Sequence, residues 1–151
     1  MTEASFAPLD RLRELASKEP FAGLLDLEIM EVQPGYARVR MKVDASKLNI
    51  HGITHGGALF ALVDEAFELA SNSHGQVAVA LNMNITFFAA TSAGDILEAE
   101  AVEVNRTART ATYQIDVKDA SGKKIAACTA LVFRKKRPLF TEESQPHPNQ
   151  L

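Results

Sequence analysis

One stretch limits what this chain can fold into. From Leu48 to His74 it reads LNIHGITHGGALFALVDEAFELASNSH, a loop with spaced His and Gly residues that runs into an apolar helical pattern. It is the one long helical pattern in the chain, and strand-like segments lie on both sides of it. A lone long helix buries its apolar stripe by packing on a sheet. The expected class is therefore α+β, with the helix on one face of a strongly curved antiparallel sheet. Alternating βαβ units are absent, which argues against a doubly wound nucleotide fold.

The flanking segments follow from their periods. Asp10 to Glu19 reads as a short amphipathic helix, which Pro20 ends because proline disfavours helix in the residue before it. Leu24 to Val32 reads as a strand, Gln33-Pro34-Gly35 as a turn, and Tyr36 to Val43 as a strand that alternates charged and apolar residues. Asp44 to Thr54 is a loop and Gly57 to Ser71 the helix, stopped at Asn72-Ser73-His74-Gly75. Strands are expected over Gln76 to Phe88, Ile96 to Asn105, Thr110 to Lys118 and Lys123 to Arg134. Asp119-Ala120-Ser121-Gly122 is the last hairpin turn. The polar, proline-containing end from Pro138 reads as a disordered tail. The expected organisation is an N-terminal segment over 1–20, one domain over 21–137 and a tail over 138–151.

Composition narrows the classes of function. A chain of 151 residues is about one domain. Its formal net charge of -3 argues against a general nucleic-acid binder, which needs a basic face. The single cysteine, Cys128, excludes a disulfide within the chain, argues against a Cys-based metal site, and reads as a buried, inert thiol. No basic start followed by an apolar run marks a leader. No apolar segment approaches the ~20 residues that span a bilayer. A reduced, cytoplasmic setting without membrane or nucleic-acid partners is expected.

Two features of the helical stretch can carry chemistry. On a helical wheel, Leu59, Phe60, Leu62, Val63, Ala66, Phe67, Leu69 and Ala70 form the core-facing stripe, while Ala61, Glu65 and Glu68 lie opposite. Asp64 sits at the edge of the stripe beside Phe60, Phe67 and Glu68. A buried carboxylate there has a raised pKa, and Glu68 as a like charge raises it further, which suits a general base or nucleophile. The bland alternative is a solvated, idle Asp. His55-Gly56-Gly57 opens the helix, where the first amides lack helical partners and glycine admits a ligand close to the backbone. Such a site suits a carbonyl oxygen that gains negative charge. The bland alternative is a tight turn. Gly56 and Asp64 are eight residues apart. That is roughly 12 Å along a helix, so one substrate carbonyl cannot reach both within one chain. If both act on it, they come from different subunits.

Taken together, Asn49, His55-Gly56-Gly57, Leu59-Phe60, Asp64, Ala66-Phe67, Asn72-Ser73, Gly75, Met83 to Phe87 and Gly94-Asp95 resemble the hotdog-fold acyl-CoA thioesterases. The similarity is strongest to the phenylacetate-pathway, PaaI-like branch, and it covers residues 20 to 135. The resemblance implies a sheet of about five or six strands around the long helix, and paired protomers that often form a homotetramer. It implies an acyl-CoA substrate bound where two protomers meet. Gly56 would polarise the thioester carbonyl, and Asp64 of the other subunit would act as nucleophile or base. Asn49 would position the water or the carboxylate, and His55 would shape the loop. No cofactor or metal is implied. Gly57 and Phe60 would border the substrate, and basic residues near the Arg106 to Thr110 turn, Arg106 and Arg109 among them, would hold the coenzyme phosphates. Ala80 and Leu81 depart from relatives that carry a hydroxyl after the helix. A hotdog dehydratase would need a His in a proline-rich loop, which is missing here.

Other readings remain beside these. A non-catalytic acyl-CoA-binding protein would share the fold. His51 and His55 have a metal-ligand spacing, but Gly52 and the β-branched Ile53-Thr54 disfavour the helix it needs. Gly-x-Ser-x-Gly is absent. The basic residues near the strand ends (Arg134, Lys135, Lys136 and Arg137 as well) read equally as solvated edge charge.

Overall fold

The structure is a computed structural model, and it describes residues 7–141. Helix α1 (Ala7–Ala16) and the short α2 (Pro20–Leu24) precede β1 (Glu28–Gln33) and β2 (Tyr36–Lys42). One 3-10 turn (Ala45–Lys47) leads to the long helix α3 (Gly56–Asn72). Strands β3 (Gln76–Phe87), β4 (Ile96–Arg106), β5 (Thr110–Asp119) and β6 (Lys124–Pro138) complete the described chain. All pairings are antiparallel, in one six-stranded sheet of order β1-β2-β4-β5-β6-β3. The fold is the expected α+β hotdog arrangement, with the sheet packed around α3.

Strand alternation builds the concave face. Ala37, Val39 and Met41 of β2, Leu97, Ala99 and Ala101 of β4, and Tyr113, Ile115 and Val117 of β5 are all fully buried against α3. The alanines leave room for the helix to sit close to the sheet. Phe67 of α3 meets Tyr113 edge-on, with ring centroids 5.6 Å apart. Truncating such a ring in a packed core costs about 3–5 kcal/mol. The α3 terminus is tied in by Asn72, whose Nδ2 donates to the carbonyls of Glu68 and Ala78 and whose Oδ1 accepts from the Ala78 amide.

β3 is an edge strand that pairs only with β6. Leu81 is the extra residue of a bulge between Ala80 and Asn82, and it is 57% exposed. The outer edge of β3 is open along most of its 12 residues.

Several boundaries differ from the sequence reading, each for a local reason. Pro20 does more than end α1: it occupies the first turn of α2, where its missing N–H is harmless. That turn and the left-handed Asp26 (φ 51°) delay β1 to Glu28, so the strand expected from Leu24 starts late. β6 continues past Arg134 to Pro138 because it pairs with β3 as far as Gln76. Leu139 N–H then donates to Gly75 O, and Leu139 and Phe140 pack on the core. The guanidinium of Arg11 lies 4.3 Å from the Phe140 ring. The tail expected from Pro138 is therefore ordered as far as 141, and its remainder lies outside the described residues.

Candidate active site

The start of α3 is capped by one residue. His55 is the N-cap, and its Nδ1 accepts from the Gly57 N–H at 2.8 Å. Its carbonyl accepts from Ala58 and Leu59, and its own N–H donates to Lys47 O at 2.7 Å. An accepting Nδ1 places the proton of the neutral imidazole on Nε2. The Gly56 N–H is left with no acceptor among the described residues. The helix therefore offers one uncommitted amide at its positive end.

The two glycines serve different ends. A Cβ on Gly57 would lie 3.0 Å from His55 Nδ1, so the residue is small because the capping ring occupies that space. A Cβ on Gly56 would meet only the Phe87 ring, at 3.5 Å. Of the two amides, that of Gly57 is engaged and that of Gly56 is available.

The preceding loop is rigid. Asn49 Oδ1 accepts from the amides of His51 and Ile53, and Asn49 N–H donates to Ile53 O at 2.8 Å. Thr54 N–H donates to Thr91 O, and Thr91 Oγ1 donates to Thr54 Oγ1 at 2.6 Å. Asn49 Nδ2 makes no hydrogen bond among the described residues, and it remains a donor. His51 is exposed in this loop, not on a helix.

Asp64 is half-buried, two turns into α3. Burial pushes its carboxyl above the ordinary range, and the charge of Glu19 adds to this. The second contributor is thus Glu19, not Glu68. Glu19 lies in the α1–α2 connection, with its carboxylate against Glu65 and Glu68 on the face of α3 that the wheel leaves to solvent. On that face Ala61 is 8% and Glu65 7% exposed. One carboxylate oxygen each from Glu19, Glu65 and Glu68 lie within 4.8 Å of one another, and Glu19 Oε2 is buried without a partner. Burial and the nearby Glu19 carboxylate raise Glu65 to about 10 and Glu68 to about 8. Glu68 as a residue is exposed at the rim, as its place on the wheel implies, but its carboxylate is turned toward those of Glu19 and Glu65.

The basic candidates lie elsewhere in the protomer. Arg106 Nε is 3.2 Å from Glu103 Oε1, and Glu103 also meets His74 just past the C-terminal end of α3. Gly56 is at the opposite end of that 17-residue helix, roughly 25 Å away. Arg109 is exposed in the β4–β5 turn, and its carbonyl accepts from Arg134 N–H. One protomer therefore gathers Asn49, His55, Gly56 and Gly57 at one end of α3. It sets Phe60 and Asp64 along the helix and leaves Arg106 and Arg109 remote. Two participants have little sequence signal: Glu19 lies far from α3 in the chain, and Phe87 is one of eight phenylalanines, next to Phe88 at the end of β3. Cys128 is buried, and burial pushes its thiol up.

The sequence profile of the thioesterase superfamily matches residues 51–126. The acyl-coenzyme A thioesterase PaaI of Escherichia coli is 39% identical over 105 residues, 70% of this chain and 75% of that protein. The solved structure of E. coli PaaI, from the phenylacetic acid degradation operon, superposes with a TM-score of 0.84 at 32% identity, over 89% of this chain and 97% of that one. The TT0310 protein of Thermus thermophilus has 47% identity and a TM-score of 0.76, over 78% of this chain and 99% of that one. A hypothetical thioesterase of Streptococcus pneumoniae, solved with coenzyme A, has 28% identity and a TM-score of 0.71, over 74% and 88%. The chain belongs to the thioesterase superfamily, as a PaaI-like member with the hotdog fold. Its chemistry is in the class of thioester hydrolysis. No helix among the described residues is long and apolar enough to cross a membrane.

Proposed function

We propose that the protein hydrolyses small aryl- or acyl-CoA thioesters to the free acid and CoA, in the cytoplasm. The observation that carries this reading is the uncommitted Gly56 amide, with a half-buried, raised-pKa carboxylate two turns along the same helix. The relatives named as an acyl-CoA thioesterase and as a thioesterase with coenzyme A support the substrate class.

The thioester oxygen accepts from Gly56 N–H at the positive end of α3. Asp64 of a second protomer activates the attack, because the same protomer's Asp64 is roughly 12 Å away along the axis. As a base it takes a proton from water while the hydroxyl adds to the carbonyl carbon. The tetrahedral oxyanion is held by the amide, and the C–S bond breaks to release CoA thiolate, which regains the proton. As a nucleophile the same carboxylate adds to the carbonyl carbon and the C–S bond breaks, expelling CoA thiolate, which takes a proton from solvent; water then cleaves the mixed anhydride to the free acid and regenerates the Asp64 carboxylate. In both routes Asn49 Nδ2, which has no acceptor among the described residues, donates to the water or the carboxylate. A raised carboxyl is a stronger base than an ordinary one, and this favours the enzyme over a non-catalytic binder. The two protomers pair through the open edge of β3, and two such dimers form a tetramer. Arg106 and Arg109 then serve the coenzyme phosphates from a neighbouring protomer.

A thiol-release assay with aryl- and alkyl-CoA thioesters tests the reading. Asp64→Ala is expected to lose at least about 100-fold in kcat. Mixing inactive Gly56→Pro and Asp64→Ala chains should restore activity through one intact site per hybrid dimer. Full activity in Asp64→Ala, or no recovery despite proven subunit exchange, overturns the mechanism.

A further inference from the structure

Four phenylalanines near the helix and β3 are candidates to border an acyl pocket, and the structure separates them. Phe67 is core, 1% exposed. Phe88 lines a groove on the outer face of the sheet with Asn82, Asn84 and Thr86. Phe60 is at the rim of α3, 37% exposed. Phe87 alone meets Gly56. A Cβ on Gly56 would lie 3.5 Å from Phe87 Cζ and 3.9 and 4.0 Å from its Cε2 and Cε1. The ring therefore presents its far end to the Gly56 Cα, one bond from the uncommitted amide.

Phe87 is also held in place while remaining accessible. It ends β3 opposite Ala126, and the amides of Phe88 and Ala89 both donate to Ile125 O. The ring is nevertheless 48% exposed. A fixed, exposed apolar ring beside a lone N–H does two things to a carbonyl bound there. It keeps water off the amide, which strengthens the hydrogen bond to a developing oxyanion. It also restricts the substituents on the carbonyl carbon. A flat group slides past an aromatic ring in offset contact, whereas a tetrahedral branched carbon drives a methyl group into it.

We propose that Phe87 is a positioning and specificity-determining residue that selects acyl groups planar or unbranched next to the carbonyl and rejects those branched at the α carbon. This rests on Gly56 being the carbonyl-binding amide. The test compares wild type, Phe87→Ala and Phe87→Leu on benzoyl-, butyryl- and isobutyryl-CoA, with melting temperatures to verify folding. Wild type is expected to prefer benzoyl over isobutyryl in kcat/KM. In Phe87→Ala that preference falls by about tenfold, kcat drops more than KM rises, and Phe87→Leu lies between. A preference that changes by less than about twofold in Phe87→Ala, or a wild type that favours isobutyryl-CoA, overturns the proposal.

A second arm keeps the two readings distinguishable. Analogues with methylene in place of sulfur retain the carbonyl but cannot release a thiol. Their binding is measured by calorimetry. If wild type hydrolyses no thioester, the hydrolase reading fails. Planar-over-branched selectivity in binding that is lost in Phe87→Ala still supports Phe87. Absent binding, absent selectivity, or selectivity unchanged in the variant overturns it.

Discussion

At the scale of single residues, neighbouring glycines at the start of α3 have opposite sensitivities. Gly56 is the first residue after the His55 N-cap, and His55 is extended (φ -63°, ψ 134°), a conformation that accepts a following proline. Gly56→Pro therefore removes one N–H with little harm to the helix, and its Cβ stays at ordinary contact distance from Phe87. The variant should fold with a melting temperature near wild type and lose about 100-fold or more in kcat. Gly57→Ala behaves differently, because its Cβ would press on the capping imidazole. Loss of the cap costs about 1 kcal/mol, so this variant should melt lower. Thermal melts beside the thiol-release assay decide; equal activity in Gly56→Pro and wild type would refute the amide's role. The identity of these residues is legible in the sequence, because helix starts and glycine pairs are local signals. Which amide is already engaged is not legible, since it depends on the orientation of one imidazole.

Among elements, the α1–α2 connection has the largest unforeseen effect. A wheel describes α3 in isolation and places Glu65 on a wet face, but Glu19 arrives from outside and sets its carboxylate against it. The resulting cluster gives a pH dependence with a definite sign. Burial and hydrogen bonding raise Glu65 and Glu68, and burial and Glu19 raise Asp64. Between the ordinary carboxylate range and the raised one, the folded state keeps protons that the unfolded chain releases. Stability therefore falls as pH rises through that window. Glu65→Gln keeps a hydrogen-bond donor and removes the titration. It should flatten the decline in melting temperature from the ordinary carboxylate range up to about pH 10, the value to which Glu65 is raised, and melt higher than wild type at the alkaline end by on the order of 3 °C. Parallel curves for the two proteins would refute the assignment. Strands and long helix are readable from their periods of about 2 and 3.6 residues. The short α2 and the full length of β6 are set by contacts with distant segments and escape any local pattern.

For the whole molecule, the open edge of β3 is the feature that sequence alone cannot assign. Strand order places the third strand of the chain at the rim of the sheet, and alternation says nothing about order. Leu81 sits in the bulge and lacks a partner position on β6. Leu81→Lys should thus spare the protomer while placing charge on the edge where copies are proposed to pair. Light scattering after size exclusion is expected to show a smaller assembly than wild type, with hydrolysis reduced in step. An unchanged mass together with unchanged activity would argue against pairing through β3.

That strand order also has a consequence for how the chain comes to be folded. Among the described residues β3 pairs only with β6, the last of the six strands in chain order. Residues 76–87 have their only intrachain strand partner, among the described residues, in residues 124–138. This long-range closure is entropically costly and late. Hairpins β1–β2, β4–β5 and β5–β6 close over short spans and can form first. Pairing between copies through β3, as proposed, therefore waits until β3 has docked on β6, because the edge it uses does not exist before then.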